Sequence, residues 1–223
     1  MNINLSSFLL YYLFVESFKF IPPIPNSLSM KYYRKLHNIG MSVLSAIMFI
    51  GITYGTYTQG KFSSITELAC KPYEKNFILE TSVYTFYFSK YIEWGDSLFI
   101  HLSGNKISML HYSHHITTAI FVYSNIEEYI SPGIYFPVSM NCLVHIPMYW
   151  YFAYPKGFLS NHKKLITITQ ISQFILGVIG IIIALKEENC KQNKYGSEIG
   201  LVLYSIYVYH FSLYFNRAYL KNN

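Results

Sequence analysis

Residues 132–153 read Pro132-Gly-Ile-Tyr-Phe-Pro-Val-Ser-Met-Asn141-Cys-Leu-Val-His145-Ile-Pro-Met-Tyr-Trp-Tyr-Phe-Ala153. As a helix, this run is long enough to cross a bilayer, which takes about 20 mostly apolar residues. An amide and an imidazole sit inside it. Comparable runs lie near 5–25, 40–58, 77–101, 109–125, 165–185 and 199–219. The first is interrupted by Glu16, Lys19 and the Pro22-Pro23 pair. The expected fold is an all-α membrane protein with about seven transmembrane helices. No repeat or low-complexity linker divides it, so residues 1–223 are read as one domain.

Composition agrees. The chain of 223 residues is 52% hydrophobic and 19% aromatic, with 13% charged residues, against about 25% charged in an ordinary soluble domain. That apolar content excludes disorder. With 12 Gly and 3 Cys the chain is not collagen-like or disulfide-dense. Its net charge of +6 falls in short groups between apolar runs, not on one face as in a nucleic-acid reader. The N-terminus has neither the basic start nor the small-residue cleavage site of a secretory signal.

The connecting segments divide by charge. Segments 31–37, 103–107, 154–164 and 217–223 hold Lys31, Arg34, Lys35, Lys106, Lys156, Lys163, Lys164, Arg217 and Lys221, and no acid. Segments 59–76, 126–131 and 186–198 mix lysines with Glu67, Glu74, Glu127, Glu128, Glu187, Glu188 and Glu198. Excess Lys and Arg mark cytosolic loops, so the C-terminus is expected in the cytosol and the N-terminus in the lumen. Cys70 and Cys190 then share the oxidising side, where they can pair, while Cys142 lies within a span. The alternative is three unrelated thiols.

Ionisable groups within a span cost about 2.5–3.5 kcal/mol each on insertion scales and are functional candidates. Lys90, Glu93 and Ser97 share a stripe, with Asp96 one step round; the alternative is an interfacial salt bridge. His111, His114 and His115, at i, i+3 and i+4, are expected to face one way, suiting a metal or a set of bases and nucleophiles. Asn141, His145, Met148, Tyr149 and Phe152 build one face, with Tyr151 beside it. Thr167, Gln170 and Gln173 form a polar stripe that interhelical hydrogen bonding would also explain.

In order and on successive spans, these clusters resemble the ELO family, membrane condensing enzymes that elongate very-long-chain fatty acids. The family's K-x-x-E-x-x-D-T is similar to Lys90-Tyr-Ile-Glu93-Trp-Gly-Asp96-Ser97, and its H-x-x-H-H to His111-Tyr-Ser-His114-His115. Its N-x-x-V-H-x-x-M-Y-x-Y-Y resembles Asn141-Cys-Leu-Val144-His145-Ile-Pro-Met148-Tyr149-Trp-Tyr151-Phe152, and its T-x-x-Q-x-x-Q resembles Thr167-Ile-Thr-Gln170-Ile-Ser-Gln173. The likeness runs from about His37-Asn38 to the C-terminus. Ser97 keeps a hydroxyl where the family has Thr, and Phe152 loses a phenol.

The resemblance implies six helices in a barrel around an acyl tunnel, in the endoplasmic reticulum membrane. It implies condensation of a long-chain acyl-CoA with malonyl-CoA to 3-oxoacyl-CoA, CoA and carbon dioxide, with no metal or other cofactor. Reductases and a dehydratase complete the cycle, membrane lipid surrounds the chain, and pairing with a second copy is left open. It implies His114 as nucleophile, with Asn141 and His145 holding the malonyl unit, and His111 and His115 as orienting or proton-handling neighbours. Lys90, Glu93 and Asp96 would organise the cytosolic mouth, and Met148, Tyr149, Tyr151, Gln170 and Gln173 would contact substrate or brace the tunnel. Lys106, Lys156, Lys163 and Lys164 are candidate CoA contacts. Lys186 is a candidate stop for the acyl methyl end, against the ordinary reading of a snorkelling lysine.

Two other classes compete. A membrane di-iron desaturase or hydroxylase also uses H-x-x-H-H, but needs many imidazoles; His37, His101, His162 and His210 stand isolated here, and none of them forms an H-x-x-x-H. A transporter or receptor would not require an Asn-His face beside a histidine triad. The tail Leu220-Lys221-Asn222-Asn223 lacks the second lysine of a dilysine retrieval signal.

Overall fold

A computed structural model of the protein describes residues 2–220, and no β-strand occurs among them. The helices are α1 (Asn2–Glu16), α2 (Leu28–Thr58), α3 (Ile65–Cys70), α4 (Phe77–Ile92), α5 (Trp94–Leu102), α6 (Met109–Ser124), α7 (Tyr135–Ala153), α8 (Lys163–Lys186) and α9 (Lys194–Phe215). Small polar residues start them. Ser27, Asn76, Ser108 and Asn193 each accept a hydrogen bond from a first-turn amide of α2, α4, α6 and α9. Such caps satisfy amides that the helix itself leaves without a partner.

Helix packing runs in a closed cycle. α2 packs on α7, α7 on α8, α8 on α9, α9 on α6, α6 on α4, and α4 back on α2, while α1 packs against α6 and α5. The α2–α7 seam is the most extensive. Buried Ser42 on α2 donates to the carbonyl of Ile146 at 2.9 Å, one residue before Pro147, whose missing N–H interrupts the α7 ladder. Small residues let these backbones approach closely.

The outer surface is apolar. Ile47, Ile50 and Tyr54 of α2, Ile175, Leu176 and Ile179 of α8, and Val202, Ile206 and Tyr209 of α9 are all exposed. Contiguous exposed apolar surface of this kind suits lipid. Among the described residues, Leu28–Thr58 and Phe158–Lys186 are long and apolar enough to cross a membrane.

The two kinds of connecting segment gather at opposite ends. At the acid-bearing end a disulfide joins Cys70 to Cys190. There the Lys191 amide donates to the Cys70 carbonyl at 2.9 Å and the Asn193 amide to Ser131 Oγ at 2.9 Å. At the basic end the Ile24 amide donates to the Leu102 carbonyl at 2.9 Å, and Arg34 Nη1 to Ser103 Oγ at 3.1 Å. Lys35 lies over the Tyr154 ring at 4.3 Å.

Two runs depart from the sequence reading. The run 5–25 is α-helical only to Glu16, followed by a 3-10 turn at Ser17–Phe20, and the Pro22-Pro23 pair prevents any helix from continuing beyond it. The run 77–101 is two helices that meet at Glu93, where the Asp96 amide bonds back three residues to the Glu93 carbonyl at 3.0 Å.

Candidate active site

That tightened turn positions the charged motif. In an i→i+3 turn, side chains three apart eclipse, so Lys90, Glu93 and Asp96 align along one face. α7 presents Asn141, His145 and Tyr149 at four-residue intervals, also one face. The two rows meet in three rungs. Lys90 Nζ donates to Asn141 Oδ1 at 3.0 Å, His145 Nδ1 lies 3.5 Å from Glu93 Oε1, and Tyr149 OH donates to Asp96 Oδ2 at 2.7 Å.

Lys90 and Glu93 are each 1% exposed and bond to one another at 2.8 Å. The Lys90 ammonium also lies over the Phe86 ring at 4.0 Å. A buried charge persists only when paired and hydrogen-bonded. This pair is held that way, although Glu93 Oε2 has no hydrogen-bond partner among the described residues. His37, read as isolated in the sequence, completes the last rung: its Nε2 lies 3.0 Å from Asp96 Oδ1.

The histidine box on α6 keeps its three rings together, His111 to His115 at 4.1 Å and His114 to His115 at 5.5 Å, while each meets different partners. His111 Nε2 lies 2.9 Å from Ser97 Oγ, which in turn bonds to Tyr11 OH at 2.8 Å. His115 is buried, with its ring 4.1 Å from that of His111. His114 turns inward, its ring 5.1 Å from Tyr207, and lines a cavity with Lys90, Asn141 and Gln173. The arc explains this division: at 100° per residue, positions i+3 and i+4 lie on opposite sides of i and meet different neighbours. Among the described residues, no group of three His, Cys, Asp or Glu side chains could hold a metal ion.

The cavity at His114 measures about 30 Å³. A second, of about 110 Å³, lies toward the disulfide end and is lined by apolar residues of α3, α6, α7, α8 and α9 together with Asn125, Gln192 and Ser197. Phe121, Pro137 and Tyr204 line both. The site thus joins an imidazole, an amide and a cation in one small cavity beside a larger, mostly apolar one.

The remaining motif residues fall around it. Gln173 lines the first cavity, and its buried Oε1 has no hydrogen-bond partner among the described residues. Gln170 Nε2 lies 3.2 Å from Met148 Sδ, bracing α8 on α7. Tyr151 lies beside the exposed Phe152 ring at 5.7 Å, tilted against it, and neither lines these two cavities. Lys186 is exposed at the last turn of α8 and lines neither of these two cavities.

Fatty acid elongase A of Dictyostelium discoideum is 33% identical over 145 residues, covering 65% of this chain and 53% of its own length. Fatty acid elongase sre1 of the same organism is 25% identical over 228 residues, 98% of this chain and 84% of its own length. Very long chain fatty acid elongase 6 of Homo sapiens is 31% identical over 143 residues, 61% and 54%. The chain thus spans about half the length of two of these relatives and most of the third. The profile of the GNS1/SUR4 family, designated ELO, matches residues 1–223 from end to end, and the chain belongs to that family.

Proposed function

We propose that the chain is the condensing enzyme of fatty-acid elongation, a very-long-chain 3-oxoacyl-CoA synthase and hence an acyltransferase. One observation carries the reading: His114, Lys90 and Asn141 line one cavity, and a larger, mostly apolar cavity shares three of its lining residues. That arrangement suits a substrate with a reactive thioester at one end and a long hydrocarbon tail. The names of its relatives support the same reading.

In this account α1, α2, α4 with α5, α6, α7, α8 and α9 make seven crossings of a single membrane domain. The cycle of α2, α7, α8, α9, α6 and α4 is the barrel, with α1 outside it. The basic, acid-free end faces the cytosol and receives CoA, whose phosphates suit Lys and Arg. The disulfide end faces the lumen of the endoplasmic reticulum, and the C-terminus is cytosolic.

The reaction divides into two transfers, each easier than the direct one. A nitrogen of neutral His114 attacks the acyl-CoA carbonyl. A C–N bond forms, the C–S bond breaks, and the CoA thiolate leaves and takes a proton from solvent at the mouth. Malonyl-CoA then loses carbon dioxide, and the resulting enolate carbon attacks the acyl carbonyl. A C–C bond forms and the C–N bond breaks, freeing His114 and 3-oxoacyl-CoA.

Asn141 and His145 hold the malonyl thioester oxygen where negative charge develops; donors fixed in advance are effective there because they need no reorganisation. The Lys90 ammonium, anchored by Glu93, adds positive potential beside them. The surrounding apolar walls keep water from the acyl-imidazole. Separate reductases and a dehydratase would consume the product.

The test is incubation of the purified protein with a series of acyl-CoAs and isotopically labelled malonyl-CoA in chelator, with products read by mass. Labelled 3-oxoacyl-CoA is expected. Its absence for every acyl-CoA overturns the reading.

A further inference from the structure

The two cavities meet at Phe121 of α6, Tyr204 of α9 and Pro137 of α7, with the two aromatic rings 5.2 Å apart. The first cavity, at about 30 Å³, has room for little more than a water or two. These two rings, shared by both linings, stand at the boundary between the first cavity and the larger second one.

Each ring is seated in a notch made by a glycine of a neighbouring helix. A Cβ added at Gly177 of α8 would lie 2.3 Å from Tyr204 Cε2, and one at Gly200 of α9 would lie 2.6 Å from Phe121 Cε2. A methyl group in either notch must displace the ring seated there.

We propose that Phe121 and Tyr204 form a gate that sets which acyl lengths the protein extends, held in its present width by Gly177 and Gly200. The proposal rests on the condensing function inferred above. Phe121 lies seven residues from His114 on the same helix, about 10.5 Å, or roughly eight methylenes of an extended tail. A tail extended along α6 beyond this length meets the two rings. The length limit is then set at the boundary between the cavities and not only at the floor of the second.

The experiment measures elongation of a graded series of saturated acyl-CoAs by the full chain and four variants. Gly177→Ala should lower the ratio of long-chain to short-chain turnover about tenfold or more, the scale of one misplaced methylene in an apolar pocket. Tyr204→Ala and Phe121→Ala remove a ring and should raise the ratio. Gly40→Ala, at a position with open space around it, should leave it unchanged.

Active variants with the wild-type length profile overturn the gate. If Gly177→Ala does not fold, the two ring deletions decide alone. If the wild type makes no 3-oxoacyl-CoA at all, the condensing function fails instead. The gate is then read from the thermal shifts produced by unreactive acyl-CoA thioethers of graded length, and a length response identical in wild type and ring deletions overturns it.

Discussion

Lys90 reaches across the bundle to Asn141, its Nζ 3.0 Å from the amide oxygen, while also holding Glu93 at 2.8 Å. One ammonium thus ties α4 to α7 and places positive charge beside the cavity that His114 lines. The cost of burying it is offset by two partners and a ring face.

Removing that cation should be damaging in a diagnostic way. Lys90→Met leaves the Glu93 carboxylate buried and uncompensated, a loss of about 3–5 kcal/mol. Lys90→Met with Glu93→Leu should recover most of that stability but not turnover. Thermal unfolding in detergent and product formation read the two effects separately. Equal stability of Lys90→Met and wild type would contradict the pairing.

Asp96 has two donors on different helices, Tyr149 on α7 and His37 on α2. Either Tyr149→Phe or His37→Ala leaves one partner and should cost about 1–3 kcal/mol. The double variant strands the carboxylate and should lose more than the sum, by on the order of 0.5–3 kcal/mol. Strict additivity in unfolding measurements would show that the two donors act independently.

Ser97 links Tyr11 to His111, so its hydroxyl should matter more than its size. Ser97→Thr should keep most activity, whereas Ser97→Ala should lower kcat roughly tenfold to hundredfold by loosening the imidazole's aim. KM for acyl-CoA should change little. A KM effect with kcat intact would place Ser97 in binding instead.

The disulfide closes a sequence separation of 120 residues. Constraint of the unfolded chain predicts a loss of roughly 2–5 kcal/mol on reduction or in Cys70→Ser. Non-reducing peptide mass mapping should find the linked pair, and reductant should lower Tm. Free thiols at both positions in the native protein would refute it.

Much of this was legible in the chain because helical periodicity reports which side chains share a face. Lys90 with Glu93, and Asn141 with His145 and Tyr149, were readable in this way. Partnership was not. His37 lies 59 residues from Asp96, and nothing in local spacing says which neighbouring helix a face meets. The turn at Glu93 was hidden because no proline or capping residue marks it, and that turn is what swings Asp96 into line. Likewise the arc of His111, His114 and His115 spans about 100°, wide enough for each ring to find a different environment. The exposure of Lys186 was not legible, because charge near a span end does not say whether it faces the interior or the outside.

The central claim is that His114 becomes acylated. The direct measurement is intact-protein and peptide mass spectrometry after incubation with acyl-CoA alone, in chelator, for wild type, His114→Ala and Cys142→Ser. The account predicts one acyl group on His114 in wild type and Cys142→Ser, none in His114→Ala, and its loss on adding malonyl-CoA. Turnover without an adduct, or an adduct that stays on Cys142 when His114 is removed, would contradict it.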